Sequence, residues 1–163
     1  MPDLCNKMKT ITYGFATTAE DFELGKKLFE EYAQSLGVDL SFQDFAKELY
    51  TIDVQYSHPE GALLLAWAES KAIGCAGIRK LDDEVAELKR MYIRGEYRGY
   101  GIGVQILEQS LLKAKELGYK KIRLDTLKTM EKAQALYRSF GFYEIPSYRF
   151  NPLEGTIYME KAL

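Results

Sequence analysis

The stretch Arg98-Gly99-Tyr100-Gly101-Ile102-Gly103 sets three alternating glycines beside an arginine, directly after a β-rich run and directly before a helical pattern. Small residues at a helix start expose several backbone N–H groups at the positive end of the helix dipole, which suits a pyrophosphate. Arg98 adds a charged fork. The same glycines also suit a tight strand-to-helix turn that binds nothing. A dinucleotide site is a competing reading, because Asp125 lies at the end of the next strand, where a ribose-binding acid belongs. Against it stand a GxGxG spacing in place of GxGxxG and a preceding strand, 87–92, that mixes polar with apolar residues. No GxxxxGK[ST] string occurs in the chain, so a Walker A loop and its ATP hydrolysis are excluded.

Other candidate groups are weaker. His58 is the sole histidine, placed in a loop, and reads as solvated. Phe42, Phe45, Tyr50 and Tyr56 could line an acceptor pocket, but Phe42 and Phe45 fall on the face a helix would bury. Lys113, Lys115, Lys120 and Lys121 flank the helix after the glycine loop, where they could meet an adenosine phosphate or simply face solvent; Tyr148 and Arg149 are similarly open. Cys5 and Cys75 form neither a disulfide framework nor a CxxC metal site, which fits a reducing, cytoplasmic setting.

The elements that must position these groups follow from periodicity and punctuation. A short β-prone run at 10–15 precedes an amphipathic helix over 20–36, with Phe22, Leu28, Phe29, Tyr32, Ala33 and Leu36 at helical spacing before Gly37. Ser41 and Asp44 are placed to cap a shorter helix carrying Phe42, Phe45, Ala46 and Leu49, ended by a loop through His58, Pro59 and Gly61. Three β-rich runs at 62–69, 72–81 and 84–93 are joined by turns too short for parallel crossovers, which predicts an antiparallel meander. A helix over 102–117, a strand at 122–125 and a helix over 130–140 form a βαβα segment, and two last strands are expected at 142–145 and 156–161.

At 163 residues, with 47% hydrophobic and 28% charged residues, the chain reads as one domain, 1–163, with a real core. A net charge of -2 lacks the basic excess that a phosphate backbone demands, so nucleic acid is not an expected partner. The amino terminus has no apolar signal core, and the longest apolar run, 62–68, is too short to cross a bilayer.

Arg98-x-x-Gly101-x-Gly103 resembles the R/Q-x-x-G-x-G/A acyl-CoA pyrophosphate loop of the GNAT N-acetyltransferase superfamily. Upstream, Ala86-Glu87-Leu88-Lys89-Arg90-Met91-Tyr92-Ile93 is similar to that family's central strand. Downstream, Ala133-Gln134-Ala135-Leu136-Tyr137-Arg138-Ser139-Phe140-Gly141-Phe142 resembles its AxxLYxxxGF helix-to-strand signature. The resemblance is specific from about 84 to 142 and implies an α+β fold, a mixed, mostly antiparallel splayed sheet with helices on both faces. It implies that Met91, Tyr92 and Ile93 carry the pantetheine arm, with the backbone of Met91 and Ile93 pairing to it as to an added strand. The amides from Arg98 through Gly99, Tyr100, Gly101, Ile102, Gly103 and Val104 would hold the pyrophosphate. One departure is visible: Met130 stands where many relatives have Asn, three residues before the alanine of AxxLY.

The chemistry so implied is transfer of an acetyl group from acetyl-CoA to a primary amine of a small molecule or peptide, by direct attack in a ternary complex and without a metal. A free alkylamine has a pKa of about 10.4 and must lose a proton to attack. Glu87 occupies the position where the resemblance places a base, acting directly or through water; an ion pair with Lys89 or Arg90 on a solvated strand face is its alternative. The leaving thiolate, with a free pKa of about 8.5, needs a proton that a tyrosine keeps at neutral pH, and Tyr137 matches the family's general acid, against the alternative of a packed core aromatic. A non-catalytic acyl-CoA-binding module is the second function class and a dinucleotide oxidoreductase the third. Neither the acceptor nor the oligomeric state, a homodimer included, is set by the sequence.

Overall fold

The computed structural model describes residues 10–37, 39–41 and 44–163. Strand β1 (Ile11–Phe15) leads to helix α1 (Ala19–Leu36), and two short helices follow, α2 (Phe45–Tyr50) and α3 (Ile52–Gln55). The meander is β2 (Ala62–Ala68), β3 (Lys71–Lys80) and β4 (Val85–Ile93). After a 3-10 turn at Gly95–Tyr97 come α4 (Ile102–Glu116), β5 (Lys121–Leu127), α5 (Glu131–Ser139), β6 (Tyr143–Ile145) and β7 (Thr156–Ala162).

Helix α1 is closed by local chemistry at both ends. The Thr18 hydroxyl accepts the Asp21 amide at 3.1 Å, and the Asp21 carboxylate accepts the Thr18 amide at 3.3 Å, a reciprocal capping box. Gly37, at φ 64, ends the helix in the left-handed conformation that glycine adopts without a Cβ clash. The second helix departs from expectation. It starts only at Phe45, and Asp44, at φ 58, makes no side-chain cap; the Ser41 carbonyl instead accepts the Asp44 amide at 2.9 Å in a turn. Phe42 lies outside the described residues, as does Cys5. Of the expected apolar stripe, Phe45 and Leu49 pack against the core and Ala46 is exposed, while between them Glu48 is buried, with Tyr56 and Arg90 hydrogen-bonding to it.

All seven strands form one sheet in the order β1-β2-β3-β4-β5-β7-β6. Every pairing is antiparallel except β4 with β5, which run parallel and are paired only at Val85↔Lys121, Ala86↔Ile122 and Glu87↔Arg123. Beyond Glu87 the two strands diverge, so the sheet is split at its centre. Helices α1 to α3 pack on one face around Phe22, Leu28, Phe29 and Tyr56. The other face carries α4 and α5, with Ile106, Leu107 and Tyr137 against Ile78, Leu88 and Ile122. Gly25 allows the close approach of α1 to β2, since a Cβ there would stand 2.3 Å from the Leu63 side chain. The expected mixed, mostly antiparallel splayed sheet with helices on both faces is the observed one.

Strand β4 carries one extra residue. Its register against β3 moves from Cys75↔Tyr92 to Gly77↔Lys89, two residues against three, and Arg90 sits at φ 57. Leu88 and Met91 therefore share the α4 face although three residues apart, which an unbroken pleat would forbid.

Candidate active site

The split between β4 and β5 opens into a cleft of ≈ 840 Å³. Met91, Tyr92 and Ile93 line it from β4, and Arg98, Gly99, Gly101, Ile102, Gly103 and Val104 line it from the turn and start of α4. Nine of the ten residues expected at the cofactor therefore meet in one place. The tenth, Tyr100, borders an adjoining depression with Ile11 and Tyr13. Helix α5 closes the far wall with Met130, Ala133 and Leu136, and α1 adds Tyr32.

The start of α4 is built to receive an anion. Gly101 caps it at φ 78 with no side-chain hydrogen bond, no acidic residue occupies the first turn, and Gly99 sits at φ 87. The first amides of the helix thus keep the open valence that helix geometry leaves them, at the positive dipole end. Arg98 folds back: its Nε donates to the Ile93 carbonyl at 2.9 Å, and its guanidinium lies 5.7 Å from the Tyr92 ring. The opposite turn is stitched by Gln134, whose Nε2 donates to the Leu127 and Lys128 carbonyls at 2.9 and 3.0 Å. Met130 accepts the Thr126 hydroxyl on its sulfur at 3.7 Å, so a thioether stands where the resemblance implies an Asn.

On the β3 side of the split lies a network of charged groups that sequence reading reached only in part. Glu87 is fully buried, not solvated, and its hydrogen-bond partners come from β3 and from the β6–β7 loop. Arg79 donates to Oε1 from Nε at 3.0 Å, Tyr148 donates to Oε2 at 2.8 Å, and Arg149 donates to the same oxygen. Burial pushes the Glu87 carboxyl up, but the charges of Lys89, Arg79 and Arg149 and the Tyr148 hydrogen bond outweigh it and hold the pKa down to about 2. Lys89 is buried in the same strand; burial brings its ammonium down to about 8 against the opposing pull of Glu87 and Asp125. Behind them Arg90 makes a bidentate pair with Glu48, at 3.1 and 2.9 Å, and the Tyr56 hydroxyl donates to Glu48 at 3.0 Å.

Tyr137 is buried on α5, its ring 5.7 Å from that of Phe142. Burial raises its pKa, and the charges of Tyr32 and Asp125 raise it further, so the phenol keeps its proton throughout the neutral range. Sequence reading missed Tyr32, Arg79, Gln134 and Lys89 as site residues. Among these only Lys89 carried a local signal, a charge inside an otherwise packed strand. The undecided pair Tyr148 and Arg149 turns out to hold Glu87. The remaining candidates stand elsewhere: His58 and Tyr50 are exposed, Tyr56 is core, Lys113 and Lys120 pair with Glu116 and Glu84, and Lys121 lies 3.9 Å from Glu160.

The acetyltransferase (GNAT) family model matches residues 25–142, from within α1 to the start of the last hairpin. An uncharacterised N-acetyltransferase of Schizosaccharomyces pombe is 35% identical over 155 residues, covering 94% of this chain and 95% of its own. A second, from Bacillus subtilis, is 30% identical over 108 residues, covering 64% of this chain and 72% of its own. Among solved structures, an acetyltransferase from Streptococcus agalactiae superposes with a TM-score of 0.77 at 21% identity, over 95% of this chain and 99% of that one. A GNAT family acetyltransferase from Elizabethkingia anophelis, solved with acetyl-CoA bound, gives a TM-score of 0.61 at 22% identity, over 95% of this chain and 99% of that one. The split sheet, the open amides of α4 and a family match spanning most of the chain agree: this protein belongs to the GNAT acetyltransferase family.

Proposed function

We propose that the chain, acting as a single domain over 1–163, transfers an acetyl group from acetyl-CoA to a primary amine by direct attack in a ternary complex. The observation that carries this reading is the juxtaposition of an unpaired strand edge with an uncapped helix start. Among the described residues no strand pairs with the β5 side of β4 past Glu87, and that edge leads straight to the first amides of α4. An extended pantetheine arm adds to the edge as a strand would, through the backbone of Met91 and Ile93, while its pyrophosphate takes the amides from Arg98 to Val104. The acetyl-CoA bound to the Elizabethkingia neighbour supports the choice of donor.

Chemistry then falls to the inner end of the cleft. The amine nitrogen attacks the thioester carbonyl carbon, and the C–S bond breaks as the thiolate leaves. Tyr137, still protonated at neutral pH, donates to that sulfur. Glu87 enters in a narrower role than its strand position suggests. A base with a pKa of about 2 is poorly matched to an amine proton at pH 7, and its oxygens are already held. Its part is to fix Arg79, Tyr148 and Arg149 over the acceptor side. The acceptor in this reading is a small-molecule or peptide amine met in the cytoplasm; a net charge of -2 offers no basic excess for a nucleic-acid partner.

The test is an acetyl-CoA turnover assay reading thiol release across polyamines, amino acids, aminoglycosides and peptides. Amine-dependent thiol release with an acetylated product is the expected result. Tight acetyl-CoA binding with no turnover on any class would assign the chain to the non-catalytic acyl-CoA-binding class, and binding of NAD in place of acetyl-CoA to the oxidoreductase class.

A further inference from the structure

Helix α1 walls the cleft with one face: Tyr32, Ser35 and Leu36, three and four residues apart, all line it. Two contacts fix where that face stands. Arg94, just past β4, holds Glu31 in a bidentate pair at 3.0 and 2.7 Å, and the Tyr32 ring lies 5.9 Å from that of Tyr92. One turn earlier Phe29 meets Tyr56, with ring centroids 5.4 Å apart, and Tyr56 fills the space over Gly77, which pairs with Lys89. Helix α1 therefore runs outward along β4, with Phe29 near the level of Lys89 and Tyr32 at that of Tyr92. Side chains on a helix lean toward its N-terminus. The Tyr32 hydroxyl thus reaches back from Tyr92 toward the inner end of the cleft, where β4 and β5 part beyond Glu87.

That hydroxyl is unmatched. Among the described residues no group hydrogen-bonds to it, the residue is half-buried, and burial keeps its proton in place. Ser35 spends its own hydroxyl on the Tyr32 carbonyl at 2.6 Å, and the Leu36, Met91, Ile93 and Leu136 side chains of the same cleft offer no acceptor. A donor left over in such a wall costs stability until a ligand meets it. Bound acetyl-CoA brings an acceptor to this depth. In the strand-like pairing proposed above, the β4 backbone engages the pantetheine amides, and the next acceptor beyond them is the thioester carbonyl.

We propose that the Tyr32 hydroxyl donates to the carbonyl oxygen of the bound thioester and holds the negative charge that gathers there during transfer. This rests on the acetyl-transfer reading above. As the amine nitrogen adds to the thioester carbon, the π pair of the C=O bond moves onto oxygen, and a hydrogen bond already aimed at that oxygen strengthens. The pair returns as the C–S bond breaks. Tyr137 gives its proton to the sulfur and recovers one from the new C–N nitrogen, so amine and thioester become amide and thiol. Tyr32 keeps its own proton throughout. The two tyrosines divide the work across the split, Tyr137 from α5 at the sulfur and Tyr32 from α1 at the oxygen.

The test uses the full chain, Tyr32→Phe, and acetyl-CoA carrying 13C at the thioester carbonyl, read by isotope-edited infrared spectroscopy. The labelled carbonyl band of the wild-type complex is expected at lower frequency than that of Y32F, while Y137F leaves it where wild type has it. The melting temperature of Y32F should match wild type, because the lost hydroxyl has no partner within the fold. Acetyl-CoA affinity should stay within about tenfold, the reach of one neutral hydrogen bond. Turnover, read as thiol release with spermidine, glycine, kanamycin and tetraglycine, should fall roughly 100-fold to 1,000-fold on every one of these amines that the wild type acetylates. One band frequency shared by wild type and Y32F, a band moved by Y137F instead, or wild-type turnover in Y32F overturns the inference and leaves the family reading standing. A Y32F protein that melts lower, or whose acetyl-CoA affinity falls by much more than about tenfold, also overturns it, because the hydroxyl then serves the fold or the pantetheine arm. Wild-type protein that binds acetyl-CoA yet acetylates none of the four amines removes the catalytic claim together with the transfer reading, and failure to bind acetyl-CoA removes the donor as well.

Discussion

Tyr137 and Glu87 show how one residue can satisfy a motif and still take its chemistry from distant neighbours. Deleting only the hydroxyl, Tyr137→Phe keeps the ring against Phe142 and so separates packing from proton transfer. If the hydroxyl protonates the leaving group as proposed, turnover at saturating substrates falls roughly 100-fold to 10,000-fold while acetyl-CoA affinity holds. Near-parental turnover in the folded variant would return Tyr137 to the core. For Glu87 the measurement is stability against pH. Its folded-state pKa is depressed to about 2 from 4.5, so the stability it contributes is present above the unfolded value and lost as pH falls from about 4.5 towards 2. Unfolding free energies for Glu87→Gln should be flatter across that window than those of the wild type, and an equal slope would show that another carboxylate carries the acid sensitivity. The motif residues were readable because they are contiguous. Of the groups that set Glu87's state, Lys89 was in view two residues along the strand, but Tyr148 and Arg149 were not, because they stand 61 and 62 residues away.

Among the elements, α4 is where sequence and function coincide most closely. Its start was legible from the glycine spacing alone, and the structure adds why those glycines are needed: Gly99 and Gly101 both take left-handed backbone, at φ 87 and φ 78. No atom lies within 4 Å of a Cβ built on Gly101, so a side chain there enters the open cleft without meeting the protein. Gly101→Asp should therefore fold, with a penalty of about 1–2 kcal/mol for the backbone conformation, yet lose acetyl-CoA binding because a carboxylate stands at the anion site. Calorimetric titration of the folded variant decides this, and unchanged affinity would reduce the loop to a turn. The helix α2 shows the opposite case. Its hydrophobic spacing promised an apolar face, and Phe45 and Leu49 do pack on the core, but the residue buried deepest is Glu48, because Arg90 at the β4 bulge comes to meet it. No periodicity reveals a bulge whose extra residue is an ordinary arginine.

At the scale of the whole molecule the split leaves the sheet joined only at one end of its centre. Two halves of the sheet, β1 to β4 and β5 to β7, share only the three pairings from Val85 to Glu87, and α4 and α5 stand on either side of the gap. The order of elements was legible because each strand and helix has its own local period. The gap was not legible from period alone, since it depends on where β5 leaves β4, and only the family likeness pointed to it. A pantetheine arm lying along β4 would supply the missing hydrogen bonds of its edge and tie the halves together. Acetyl-CoA at one hundred times its dissociation constant should add about 2.7 kcal/mol if it binds only the folded chain. For a domain of this size that corresponds to a rise in melting temperature of roughly 5–10 °C. The same bridge makes a local claim that bulk stabilisation does not: backbone amides of residues 88–93 and 99–104 should gain hydrogen-exchange protection with acetyl-CoA, while those of β1 and β6, at the sheet's outer edges, should change little. A thermal rise with protection spread evenly over the sheet would mean that the ligand stabilises the fold without occupying the split, and no rise with acetyl-CoA beside a rise with NAD would move the site to another chemistry altogether.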